Sequence, residues 1–282
     1  MNDLSLTPGT VSKILWHFTG GPIWNNSSNK QEDGLKSNEQ AYKNLKSILS
    51  SKVLKLGSYH EIISVIYPEQ KIYEGSGKWS VHKNVETILK SSPVCCLADI
   101  PIQHLRYHSM RYGRFAIGFY RTSAIRNNFN PVFYTLNNED IVKNIYEGFS
   151  SLSNINIRSI RDITSDLEWD FNEVGEEIPE IKRKVERIDD EADYIETYVD
   201  EAQDNLRNYL AFIKTFSPDQ FDTIYCEREW RSLDEFEFEY SDVAFVILPK
   251  LADNKNYVFQ LIEELKLPRN ITIASWEDLV EH

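Results

Sequence analysis

The sequence predicts an α+β protein: a mixed β core with a long acidic, coiled-coil-like helical insertion. Two observations predict the class. Short apolar runs stopped by Gly or Pro recur in both ends of the chain with helical spacings between them, and a heptad-like stretch interrupts that pattern.

The first run, Ile14-Leu15-Trp16-His17-Phe18, ends at Gly20-Gly21-Pro22 and has the length and breakers of a buried strand. Residues 24–34, WNNSSNKQEDG, are polar and aperiodic and read as a loop. Ala41, Leu45, Ile48, Leu49 and Val53 then recur at helical spacing as far as Gly57. Residues 92–100 give a second strand stopped by Pro101, 102–112 a helix ended by Gly113, and 115–120 and 131–135 two further strands. Toward the other end, 223–226 and 243–248 read as strands, 256–265 as a helix and 271–274 as a last strand.

Between these halves Ile181, Val185, Ile188, Ala192, Ile195, Val199, Ala202 and Leu206 alternate spacings of four and three. A helix over 180–214 would be roughly 50 Å long, more than a small core covers. The spacing therefore predicts an arm that protrudes or pairs, with the segment around Leu167, Trp169 and Phe171 folded back on it. The core is expected at residues 1–150 and 215–282 and the insertion at 155–214.

Charge follows the same division. The 282 residues carry 31 Lys+Arg against 44 Asp+Glu, a net −13. Residues 166–204 hold 16 acidic and 4 basic side chains, so −12 belongs to that stretch and the rest is almost neutral. Broad phosphate-backbone binding is disfavoured, while a local basic groove is not. A hydrophobic share of 41% is enough for a real core. Three cysteines give no disulfide framework, and no apolar run approaches a membrane span, so the expectation is a cytoplasmic protein without membrane attachment.

Few familiar chemical motifs are present. GSGKWS at 75–80 lacks the first glycine and the final Ser/Thr of a phosphate loop. His104 and His108 share a helix face, but Tyr, Arg and Met surround them, so no metal is expected and one histidine is read as packing beside a site. Glu227-Arg228-Glu229 is more informative. On an extended chain its carboxylates would point to one side, where like charges need a task or a cation; Arg228 or Arg231 could supply one at an exposed strand end.

The order of H-F-T-G at 17–20, V-C-C-L-A-D-I-P at 94–101, H-x3-YG-R-F-A-I-G-F ending at Phe119, N-P-V-F-Y at 130–134 and E-R-E-W-R at 227–231 resembles the bacterial abortive-infection AbiGi family. More distantly it resembles the ADP-ribosyltransferase fold, including DarT-like toxins. The resemblance spans roughly 11–135 and 205–275. It implies NAD as substrate, Glu229 as the carboxylate that stabilises positive charge developing on the ribose, and Glu227 orienting or deprotonating the acceptor. It further implies that His17, Phe18, Thr19 and Gly20 bind the cofactor, Tyr112 stacks on nicotinamide, and Arg114 or Arg121 takes the pyrophosphate. Phe18 stands where many such transferases carry glycine.

Two main functions follow. One is a toxin or effector of anti-phage defence that transfers ADP-ribose to a macromolecular acceptor, with NAD hydrolysis as its close variant. The other is a catalytically inactive, antitoxin-type module whose acidic helices bind a basic partner; the heptad seam also allows a homo-oligomer. A metal nuclease built on Glu227, Glu229 and His104 is the weakest reading.

Overall fold

The computed structural model describes residues 12–25, 30–57, 59–75, 78–137, 140–153, 179–220 and 227–280. In chain order it contains β1 (Ile14–Phe18), β2 (Pro22–Asn25), β3 (Lys30–Leu35), α1 (Asn38–Ser51), β4 (Val53–Leu54), β5 (Ile62–Gly75), β6 (Lys78–Lys90) and β7 (Cys95–Ala98). There follow α2 (Leu105–Tyr112), β8 (Ala116–Tyr120), α3 (Arg121–Arg126), β9 (Asn130–Pro131), β10 (Phe133–Leu136), α4 (Asp140–Ser153) and α5 (Pro179–Leu210). The last are β11 (Ile213–Phe216), β12 (Glu229–Ser232), β13 (Phe236–Glu237), β14 (Val243–Leu248), α6 (Tyr257–Glu264), β15 (Thr272–Ser275) and α7 (Trp276–Val280). The class is α+β with a mostly antiparallel sheet.

The chain divides into two units, one of residues 1–61, 92–134 and 211–282, the other of 62–91 and 135–210. The expected boundaries near 150 and 215 differ from this division, because residues 62–91 and 135–150 group with the helical segment. The first unit holds a seven-stranded sheet in the order β15-β14-β8-β1-β7-β12-β9, antiparallel throughout except for β14 with β15.

One face of this sheet packs on α1 and α6. Ser37 caps α1 by accepting from the Gln40 N–H, and Ala41, Tyr42, Leu45 and Leu49 turn inward at helical spacing. They meet Leu15, Leu97, Phe119 and Val246 of the strands and Leu261 of α6 in the main core. The other face buries Trp16 with Ile100, Leu105, Ile247 and Trp276. Gly118 makes room for that tryptophan, since a Cβ there would lie 2.8 Å from its ring.

Several sequence expectations are corrected. Residues 24–34 are not a plain loop, for β2 and β3 pair as a hairpin around the polar run. The helix expected to reach 214 ends at Leu210, and Lys214 lies on β11. The strand expected at 223–226 and the helix partner at 167–171 lie outside the described residues.

In the second unit β5 and β6 form a long antiparallel hairpin, and α4 packs against α5 with Arg207 over the Phe149 ring. The heptad-like seam of α5 is covered only in part: Val185 and Ala192 are buried, whereas Ile188 and Ile195 remain exposed. No helix among the described residues is long and apolar enough to cross a membrane.

Candidate functional site

The site begins where two strands of the main sheet separate. β1 pairs with β8 through five residue pairs but with β7 only at Trp16 and Ala98. Beyond that pair the strands diverge, and His17 reaches the Cys96 carbonyl with its ring, Nδ1 at 3.1 Å. A carbonyl can only accept, so Nδ1 carries the proton and Nε2 keeps a lone pair. The gap is a cavity of about 150 Å³ lined by Trp16, His17, Phe18, Cys96, Leu97, Ala98, His108, Tyr112, Glu227 and Glu229.

Strand pairing brings the carboxylates here. Ala98 faces Trp16 on one side and Glu229 on the other, so the three share a row across the sheet. Glu227 arrives differently from the expected extended E-x-E. Glu227 stands outside the strand that begins at Glu229, and Arg228 between the glutamates takes a left-handed φ of 43°. Such a conformation costs a non-glycine residue about 1 kcal/mol or more. Arg228 is held on both sides, its Nη2 at 2.8 Å from Asp99 and its carbonyl accepting from the Asp99 N–H. The kink, not strand alternation, turns both carboxylates toward one cavity.

Each carboxylate already has cations. Glu229 lies 2.9 Å from Arg231 and 3.3 Å from Lys214. Glu227 lies 2.7 Å from Arg111 and 3.4 Å from Lys214, and accepts from the Tyr112 hydroxyl at 2.8 Å. Arg231, with no exposed surface, also meets Glu61 at 2.8 Å, and Tyr59 donates to Glu61. Three negative and three positive side chains thus form one largely buried chain whose formal charges cancel.

These contacts set the protonation states. Burial alone would raise the Glu229 carboxyl, but Arg231 and Lys214 hold it well below the usual range. Burial would likewise lower Lys214, yet Glu229, Tyr59, Glu227 and Glu61 hold its ammonium well above normal. His17 falls to about 4 through burial, partly offset by the Cys96 carbonyl. His108 also falls to about 4, through burial and the nearby Arg111. Both rings are therefore neutral at pH 7. Burial raises the Cys96 thiol well above its ordinary value, which keeps it protonated.

The expected site residues separate into two groups. His17, Phe18, Tyr112, Glu227 and Glu229 line the cavity together. Thr19, Gly20, Arg114 and Arg121 do not. The Thr19 hydroxyl donates to the Ala41 carbonyl of α1 at 2.8 Å, and Gly20 packs against Gly113, whose left-handed φ of 80° favours glycine and where an added Cβ would lie 3.2 Å from the Gly20 Cα. Arg114 pairs with Glu277 at 3.5 Å, whereas Arg121 follows the end of β8 that pairs with Ile14, away from His17. Of the histidine pair, His104 is exposed and His108 stacks on Tyr112 with ring centres 4.4 Å apart. Among the described residues no three His, Cys, Asp or Glu side chains group as a metal site.

Lys214, Arg111, Glu61 and Tyr134 were missed as site residues, and Arg231 was seen only as an alternative partner for the E-x-E. Only the buried-charge rule, that paired carboxylates need cations, pointed toward them.

The cavity is the size of one small aromatic ring. Its described lining encloses one ring of such a ligand and not a whole dinucleotide, and the two arginines expected at the pyrophosphate lie elsewhere.

No curated protein and no solved structure matches the chain. A family model described as abortive phage resistance protein AbiGi, antitoxin, matches residues 60–261. That span includes Tyr112, Lys214, Glu227, Glu229 and the whole second unit, but begins after His17. With most of its length matched, the chain belongs to the AbiGi family of abortive phage resistance proteins.

Proposed function

We propose that the protein serves phage defence as an antitoxin-type binding module, holding a basic toxin against α5 without turning over NAD. The observation that carries this reading is the state of Glu227 and Glu229. A catalytic carboxylate must offer charge to a developing cation, and both of these are already neutralised by Arg111, Lys214 and Arg231. The antitoxin description of the family agrees with it.

The surface for the partner lies on α5. Between 189 and 204 the helix has eight acidic and no basic residues, and Tyr194 and Tyr198 stand exposed one turn apart, rings 6.2 Å from centre to centre. Acidic charge gives steering, and tyrosine gives apolar contact with a polar tip. The test is co-purification with the toxin of the pair. The complex is expected at about 0.05 M salt and should weaken at least tenfold by about 0.3 M as charges are screened. A complex indifferent to salt, or unaffected by Tyr194→Ala with Tyr198→Ala, removes α5 as the docking surface.

A second reading is favoured by one specific observation: His17, Phe18, Tyr112, Glu227 and Glu229, five residues assigned to NAD chemistry by the resemblance, line one cavity. In this reading the protein transfers ADP-ribose, or hydrolyses NAD, with Glu229 facing the ribose cation. Labelled NAD incubated with cell extract decides between the two. Nicotinamide release lost in Glu229→Gln supports turnover; no release from the unaltered protein supports the binding module.

A further inference from the structure

Three of the four places where the chain passes between the two units are flanked, on the first unit's side, by residues bonded to the strand bearing Glu229. Glu61, the last residue before one crossing, meets Arg231 at 2.8 Å. Tyr134, the last before another, accepts the Glu229 N–H at 2.8 Å. Ala211, the first residue after α5, accepts from Arg231 at 2.6 Å, and Lys214 three residues later meets both Glu227 and Glu229. Nothing about covering a sheet requires the ends of three separate segments to converge on residues 229 and 231.

We propose that Glu61, Tyr134, Lys214 and Arg231 are positioning residues that tie the Glu227–Glu229 pair to the chain crossings, so that load on the second unit resets the two carboxylates. The physical basis is the economy of the network. Glu229 has two cations and Glu227 has two, and Lys214 is common to both. A shift of Lys214 by an ångström or two weakens two ion pairs together, and in a buried site that loss is not replaced by water. Because α5 ends at Leu210, a pull on that helix arrives first at Ala211 and Lys214. Coupling of this kind is reciprocal, so a ligand in the cavity would alter the second unit's affinity for its own partner. The inference goes beyond the toxin-binding reading and stands whether or not NAD is turned over.

The test follows the Glu229 carboxyl by carbon NMR in the full chain labelled at glutamate, with Glu229→Gln assigning the signal. In the unaltered protein the signal should stay ionised down to about pH 4. Lys214→Met should raise its midpoint by at least about one pH unit, a tenfold gain in proton affinity, and Lys214→Arg should restore it. Inserting Gly-Gly between Leu210 and Ala211, which leaves every site residue intact, should raise the midpoint at least half as far. The same insertion at Asn254, in the turn closed by the Ala252–Lys255 bridge between β14 and α6, should leave it unchanged.

An insertion at 210/211 without effect overturns the coupling, as does an equal shift from the insertion at Asn254. An unchanged midpoint in Lys214→Met overturns the positioning role. Should the 210/211 insertion fail to fold, Tyr134→Phe removes a single acceptor oxygen next to its crossing. It should move the Glu229 carboxyl signal and midpoint in the same direction, and no movement there also overturns the proposal.

Discussion

Acidic side chains do opposite work in the two units. In the sheet unit Glu61, Glu227 and Glu229 are largely buried and bonded to Arg or Lys, so their charge sets geometry and adds almost nothing to the field outside. On α5 the acids between 189 and 204 are exposed except for the half-buried Asp189, so their charge makes a field and fixes little. Removing one side chain from the buried set should therefore disturb folding far more than removing several from the helix. Of the net −13, residues 189–204 of α5 alone carry −8, almost all of it on exposed side chains that can meet a partner.

The sharpest way to break this contrast is Arg231→Met. It leaves Glu61 and Glu229 facing each other without their common cation, and loss of one partner from a buried ion pair costs about 3–5 kcal/mol. Urea unfolding at pH 7 should show a loss of that size. Adding Glu61→Gln and Glu229→Gln should recover part of it, because the uncompensated charges are then gone. A loss below about 1 kcal/mol would place the network in effective contact with water and end the contrast.

How far the sequence could carry this picture depends on the range of the interactions involved. β1, β14 and α1 were legible because each has a dense local signal: Gly and Pro after the first, six apolar residues in the second, and four inward residues at helical spacing in the third. The β5–β6 hairpin was not. Pro68 interrupts its first strand, and exposed Trp79, Val81 and Ile88 on the second blur the in-and-out alternation that marks a half-buried strand. For the site, His17 and Glu229 could be suspected from their neighbours in sequence. The cations of the two carboxylates could not, since Arg111 lies 116 residues from Glu227 and no local pattern marks Lys214 for burial. The left-handed turn at Arg228 was equally hidden, because an arginine gives no hint of the conformation that aims Glu227 and Glu229 together.

Acid sharpens the contrast next, through the neutral histidines. His17 and His108 titrate near 4 in the fold and near 6.5 when unfolded. A lowered folded value means the unfolded chain takes up protons first, so the stability these groups contribute is complete above about 6.5 and disappears as the pH falls toward 4. The loss amounts to about 2–3 kcal/mol for each ring. Glu229 acts with the same sign over a lower range, since its folded value is also depressed. Unfolding free energies at pH 7 and pH 4.5 should therefore differ by several kcal/mol. The double variant His17→Gln, His108→Gln should flatten the slope between those values, and an unchanged slope would mean that both rings are already solvated.

The smallest expected effect belongs to α5. Exchanging its eight acids between 189 and 204 for Asn and Gln removes eight charges, seven of them on exposed side chains. Exposed pairs are worth about 0–1 kcal/mol, and lowering like-charge repulsion along one helix offsets part of any loss. The midpoint of urea unfolding should move by less than about 1 kcal/mol in free energy, while toxin binding at low salt should fall at least tenfold. Stability and binding must separate in this variant if charge on the helix serves a partner. A change of several kcal/mol without loss of binding would show that the helix acids, like those of the sheet, are structural.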